Sequence, residues 1–312
     1  MQNDNNNFNN QNEQPGGFNG QPGPGGYEYG PDEFNTGGFG QPPQNRIILE
    51  SCYNLRRLAR EALKGKWVMA AVAAFLVTVL LTVPGTIIDQ LFGIEVPLQD
   101  VFQQAGLDVD LGAMGVTGTI KSSPLSGLYS ILVAGPLEFG LTAYFLILFR
   151  RGKETLGDLF SGFEFFGKTL GLMLWITLWV ILWAIIPFAG PVLAIVAGFR
   201  YAMAFMVQVD NPALPIRDCL NRSKFLMKGN KGKLFLLSLS FIGWYLLASV
   251  PGAILSAIAI NITINSFVLI IVELIGSFVS AFVVAYMLTA YMAFYDMLIG
   301  RIYGESYTPG QF

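Results

Sequence analysis

Six stretches of about twenty mostly apolar residues divide this chain, and a helix is the only regular structure that can use all of them. They are Trp67–Ile88, Leu125–Phe149, Leu170–Phe188, Val192–Val209, Leu234–Leu255 and Phe278–Ile299. At about 1.5 Å per residue, each can cross the roughly 30 Å hydrocarbon core of a bilayer. The last run is apolar from Phe267 onward, so it is expected to tilt or to follow an interfacial turn. Charged residues make up 13% of the 312, against roughly 25% in soluble domains, so a soluble fold would leave much apolar surface exposed.

The 19 basic residues orient the spans. Arg46, Arg56, Arg57, Arg60, Lys64 and Lys66 precede the first span. Arg150, Arg151, Lys153 and Lys168 lie between the second and third, and Arg217, Arg222, Lys224, Lys228, Lys231 and Lys233 between the fourth and fifth. Arg301 follows the sixth. With six spans all of these fall on one side; only Lys121 falls on the other, and Arg200 lies within a span. The positive-inside rule then places both termini in the cytoplasm. The opposite loop, Asp89–Gly127, carries Asp89, Glu95, Asp100, Asp108 and Asp110. That acidity reads as solubility or as a vestibule that attracts cations.

Residues 1–45 are Asn, Gln, Gly and Pro with spaced aromatics, and no aliphatic residue follows Met1 until Ile47. Nothing there can offset the entropy of ordering, so a disordered cytoplasmic tail is expected, its aromatics available to a protein partner. No cleavable signal peptide is expected, because one needs a basic stretch followed at once by an apolar one and the first apolar span begins only after residue 66.

Three basic segments share a form. Ile48, Cys52, Leu55, Ala59 and Ala62 make an apolar stripe at helical spacing beside Arg56, Arg57 and Arg60. Leu156, Leu159, Phe160, Phe163 and Phe166 make a second, and Ile216, Cys219, Leu220, Ser223 and Leu226 a third. Each reads as an amphipathic helix in the headgroup plane and leads through a Gly/Lys turn into a span. Pro84, Pro187 and Pro251 sit near the far ends of the odd spans, where proline ends or kinks a helix. Leu141-Thr142-Ala143-Tyr144 recurs as Leu288-Thr289-Ala290-Tyr291. Together these predict three parallel units, each an interfacial helix followed by two spans, over about 46–149, 150–209 and 210–300.

The stretches Arg60–Trp67, Gly135–Gly140, Asp210–Gly229 and Leu234–Leu247 closely resemble a family of bacterial integral membrane proteins known as domain of unknown function nine hundred and seventy-five. The resemblance covers about residues 46–300, excludes the polar tail, and implies a six-span protein of the bacterial inner membrane. It implies no activity.

Little in the chain points to catalysis. There is no histidine, which removes the commonest general base and metal ligand. Cys52 and Cys219 have no metal-ligand spacing and lie on the apolar stripes. No Lys lies within a span to serve as a buried base. Gly162–Thr169 fits G-x-x-x-x-G-K-[ST], but its intervening phenylalanines and the absence of a preceding strand argue against a phosphate loop. Gly167 and Gly171 suit close helix packing. A net charge of −2 argues against a nucleic-acid partner.

Charges inside the membrane are the sharper pointers. Glu138 and Arg200, opposite in sign and at similar counted depth, are expected to form an ion pair, either structural or part of a transport site, with Pro136 freeing carbonyls nearby. Asp210 and Asp296 are expected at the inner surface and Glu273 at the outer one, all solvated. Arg56, Arg57, Arg60, Lys64, Lys66, Lys228, Lys231 and Lys233 are candidate contacts to anionic lipids, or ordinary anchors. The expectation is an all-α membrane protein: a disordered tail over 1–45, a six-span domain over 46–304 and a short tail over 305–312. It would be a non-enzymatic structural, lipid-contacting or partner-organising element without cofactor or metal. The alternative is a small secondary transporter or channel with its site at Glu138 and Arg200.

Overall fold

The computed structural model describes residues 46–104, 110, 119–186, 189–261 and 266–302. The tail over 1–45, Pro187, Asp108, the segment 305–312 and the side chain of Glu273 lie outside that description. The elements in order are α1 (Cys52–Leu63), α2 (Trp67–Phe92), β1 (Ile94–Pro97), α3 (Leu98–Gln104), β2 (Thr119–Ser122) and α4 (Pro124–Arg150). A 3-10 helix (Leu156–Phe163) follows, then α5 (Phe166–Ala184), α6 (Gly190–Tyr201), α7 (Ala204–Asp210) and α8 (Ile216–Leu226). The chain ends with α9 (Lys231–Leu239), α10 (Ile242–Asn261) and α11 (Ser266–Leu298).

Six helical stretches are long and apolar enough to span a membrane: Trp67–Phe92, Pro124–Arg150, Phe166–Ala184, Gly190–Asp210, Lys231–Leu255 and Leu274–Leu298. Two of the six are interrupted: the fourth turns at Ala202–Met203, between α6 and α7, and the fifth at Ser240–Phe241, between α9 and α10. The sixth is one unbroken helix from Ser266, with no interfacial turn inside it. Threonines within α2 hide their hydroxyls on the helix's own carbonyls, Thr78 on Ala74, Thr82 on Thr78 and Thr86 on Thr82.

Pro84 and Pro251 end neither helix, since α2 continues to Phe92 and α10 to Asn261. Pro84 has no N–H, so the carbonyl of Leu80 loses its intrahelical donor. The Tyr129 hydroxyl of α4 donates to that carbonyl instead, and so ties the first two spans together. At the far end of this hairpin the Asp89 carboxylate accepts from the Ser123 N–H and the Ser126 hydroxyl, both at 2.7 Å. The connecting loop holds a small antiparallel pair that the sequence did not announce, β1 on β2, with Ile94 opposite Ser122 and Pro97 opposite Thr119.

Packing is concentrated at the end carrying the basic segments, called here the basic end. In α4, residues from Gly135 to Leu148 are largely buried, whereas Leu125, Leu128, Ile131 and Leu132 are exposed. In α2 the buried residues are Ala70, Ala71, Ala73, Ala74, Val77 and Gly85, mostly from its first half. Small residues there let α11 and α4 approach closely. The 3-10 helix lies directly on α4: a Cβ on Gly140 would fall 1.8 Å from the Leu159 carbonyl oxygen, and one on Gly162 2.0 Å from that of Pro136. Gly162 is thus a packing glycine, and Lys168 of the phosphate-loop pattern donates to the Pro212 carbonyl at 2.7 Å.

The first basic helix packs along α11. Near its start, Asn230 accepts from the Ile48 N–H at 2.9 Å and donates to the Arg46 carbonyl at 2.7 Å, and the Arg46 guanidinium lies against Gly300. Near its end, Arg60 donates to the Tyr286 hydroxyl at 2.6 Å, and that hydroxyl donates to the Arg56 carbonyl at 3.3 Å. From Tyr286 to Gly300 the chain advances roughly 20 Å, so α1 runs alongside the last part of α11. Much of the apolar face expected to meet lipid therefore meets protein. Of the stripe, Ile48, Leu55 and Ala59 are buried by protein, at roughly 1.5–3 kcal/mol for each large aliphatic side chain, whereas Cys52 and Ala62 are half-buried. The third stripe behaves alike: Cys219, Leu220, Ser223 and Leu226 of α8 are buried. The second does not, since Phe160, Phe163 and Phe166 remain exposed and the helix is 3-10 rather than α.

Candidate functional site at the basic end

The even spans each carry a charged residue in or at the end of their last turn, and the fold brings the three together. Arg150 closes α4, Asp210 closes α7, and Asp296 lies in the last turn of α11. Arg150 Nε donates to Asp296 Oδ1 and Oδ2 at 3.0 and 3.1 Å, and its Nη2 to Asp296 Oδ1 at 2.6 Å. The same guanidinium donates to Asp210 through Nη1 at 2.5 Å and Nη2 at 3.0 Å. Tyr295 donates its hydroxyl to Asp210 Oδ2 at 2.8 Å, and its ring lies 5.9 Å from the guanidinium carbon. Side-chain exposure is 15% for Arg150, 10% for Asp210 and 4% for Asp296. The planar fork of arginine serves two carboxylates at once, which a lysine could not do with the same geometry.

This corrects the expectation that Asp210 and Asp296 are solvated. Two carboxylates that would repel each other are held by one cation, so the buried group carries a single net negative charge when ionised. Buried charges persist only when paired and hydrogen-bonded, and here every guanidinium nitrogen is used.

Two further ties close the same end. Lys66, just before α2, donates to both carboxylate oxygens of Glu154 at 2.7 and 2.8 Å and to the Gly152 carbonyl. Buried Asn230 joins the leader to the α8–α9 turn and also donates to the Leu226 carbonyl at 2.9 Å. The turns before the first and fifth spans match: Gly65 and Gly229 hold φ of 79° and 86°, left-handed values that favour glycine. Gly152 and Gly300, just past α4 and α11, hold 61° and 78°.

Glu138 and Arg200 do not meet: among the described residues no ion pair joins them. Glu138 is exposed between buried Leu137 and Phe139 on α4. Arg200 is exposed in the last turn of α6, where the helix dipole favours a cation. Its carbonyl accepts from the Ser223 hydroxyl of α8 at 3.1 Å, so α8 rather than α4 faces it. The reason is the turn at Ala202–Met203, which an uninterrupted count of residues along the span cannot register.

The candidate lipid contacts divide. Arg57, Arg60, Lys64 and Lys228 are exposed, whereas Arg56, Lys66, Lys231 and Lys233 are half-buried. Arg56 donates to the Ser240 carbonyl at 3.4 Å, and Lys66 is committed to Glu154. Arg57 pairs with Glu61 at 3.8 Å on an exposed face, an interaction worth little. Both cysteines are free thiols, and burial with Asp218 nearby pushes the Cys219 thiol up to about 11. Among the described residues no group of three or more His, Cys, Asp or Glu is placed to hold a metal.

Sequence reasoning misses the Arg150 cluster because an arginine at the end of a span reads only as a marker of the membrane boundary. The signal that could have found it is one charge at the end of each even span, one positive and two negative. Comparison with known proteins agrees with the sequence resemblance over part of its length: residues 191–301 match the model of the family described as Protein of unknown function (DUF975). No curated protein and no solved structure matches the chain.

Proposed function

We propose, from the premise that residues 191–301 are a DUF975 region, that this six-span membrane protein is a non-enzymatic structural element of the bacterial plasma membrane. It contacts lipid and organises partners, with its basic end and both termini in the cytoplasm. One observation carries the reading: three returning spans are tied at the basic end by Arg150, Asp210 and Asp296, while the far halves leave aliphatic side chains exposed to lipid. A tied base with an apolar outer surface suits a scaffold. The paired left-handed glycines, Gly65 with Gly229 and Gly152 with Gly300, support a likeness between the first and third of the three proposed units. The exposed Arg57, Arg60, Lys64 and Lys228 are suited to anionic headgroups at roughly 1 kcal/mol each.

A second reading rests on Glu138. A carboxylate exposed at that place on α4 is expensive against lipid and inexpensive against water, which favours a transporter with a polar crevice there. Cysteine accessibility scanning over residues 132–144 and 196–208 tests both. The scaffold predicts no labelling by aqueous reagents near residue 138. Labelling that tracks Glu138 and is blocked by a permeating cation would replace the scaffold with the transporter.

A further inference from the structure

Two cations flank one ring where α6 meets α8, and a third lies two turns along α8; none is among the eight candidate lipid contacts. The guanidinium of Arg200 lies 6.0 Å from the centre of the Tyr201 ring, and Nζ of Lys224 lies 5.5 Å from the same ring. Tyr201 itself is buried, so the ring is a fixed platform for both. Arg217 is seven residues before Lys224, two turns along one face of α8, and both it and Arg200 act electrostatically on the Lys224 ammonium. The Ser223 hydroxyl, bonded to the Arg200 carbonyl and to the Met203 N–H, fixes α8 against the end of α6. The arrangement is therefore built into the packing.

Among the described residues no carboxylate neutralises the three. The ion pairs there use Arg57, Lys66 and Arg150, and none uses Arg200, Arg217 or Lys224. Lys224 has only a 3.5 Å contact to the Asn221 amide oxygen. Asp218, exposed on α8 next to Arg217, makes an ion pair with none of them. Like charges gathered without a counter-charge repel one another, and burial together with Arg200 and Arg217 lowers the Lys224 pKa. Two forked guanidinium groups and an ammonium suit the oxygens of a phosphate.

We propose that Arg200 and Lys224, set about Tyr201, form with Arg217 two turns along α8 a binding site for a phosphate group. A lipid headgroup and free phosphate share that chemistry. The test uses the full chain in neutral detergent and reads thermal unfolding with short-chain phosphatidylglycerol or inorganic phosphate added. Phosphatidylglycerol is expected to raise Tm, and the shift should vanish in the R200Q/R217Q/K224Q variant. Arg217→Gln alone, on an exposed face that leaves the packing intact, should weaken binding roughly fivefold. A shift from inorganic phosphate equal to that from the lipid assigns a soluble ligand to the same site. If neither probe shifts the wild-type protein, or if Arg217→Gln binds as tightly as wild type, the site does not exist. If instead the shift is lost in R57Q/K64Q, the lipid belongs to the cations of α1. The proposal then falls while the lipid contacts of the proposed function stand.

Discussion

Replacing Arg150 with Met should be among the most damaging single changes in this protein. The guanidinium is 15% exposed and makes five N–H···O contacts of 2.5–3.1 Å to Asp210 and Asp296. Met fills a similar volume, so the loss is electrostatic: two largely buried carboxylates face each other with no cation between them. Removing one partner of a buried pair costs about 3–5 kcal/mol. At about 1.4 kcal/mol per decade, that is a factor of roughly a hundred to a few thousand in the folding equilibrium. Denaturant titration of the purified protein in neutral detergent measures it. A second arm isolates the cause. In Arg150→Met combined with Asp210→Asn and Asp296→Asn no ionised group remains, and most of the loss should return. A loss under about 1 kcal/mol in the single variant, or no recovery in the triple, would refute the role assigned to the cluster.

Gly162→Ala should destabilise by about 1–3 kcal/mol, since its Cβ would fall 2.0 Å from the Pro136 oxygen, whereas Gly167→Ala, with nothing within 4 Å, should be neutral; parallel melts compare them. Tyr129→Phe leaves the Leu80 carbonyl without a donor and should cost about 1 kcal/mol in the same assay. The Cys219 thiol, held near 11 against an ordinary value near 9, should resist alkylation in native membranes at neutral pH and react only after unfolding, as mass spectrometry would read. Its raised pKa means the unfolded chain loses that proton first, so this group's effect is to lower stability as pH climbs from about 9 toward 11. A wild-type melt compared with Cys219→Ala across that window checks the sign.

The spans were legible because a run of twenty apolar residues suits a membrane-crossing helix and little else, and the helix bounds differ from the windows by only a few residues at most ends. The turns at Ala202–Met203 and Ser240–Phe241 were hidden, since both lie in apolar sequence without proline. The turn after Tyr201 undid the expected Glu138–Arg200 pair. The amphipathic stripes were visible, but an apolar face looks the same whether lipid or another helix will cover it. For α1 the cover is α11, and the deciding contacts, Arg60 with Tyr286 and Ile48 with Asn230, span about two hundred residues of chain. The Arg150 cluster is of the same kind. Its charges were plain, but their meeting depends on where three helices end in space.

The order of synthesis gives that meeting a timetable. Arg150 leaves the ribosome long before its partners: Asp210 follows 60 residues later, and Asp296 completes the set 146 residues after the arginine. Until Asp210 is made the first hairpin carries an unanswered cation, and from then until Asp296 the arginine can answer one carboxylate only. A chain truncated before Asp296 would keep almost all its hydrophobic segments yet lack its last clasp.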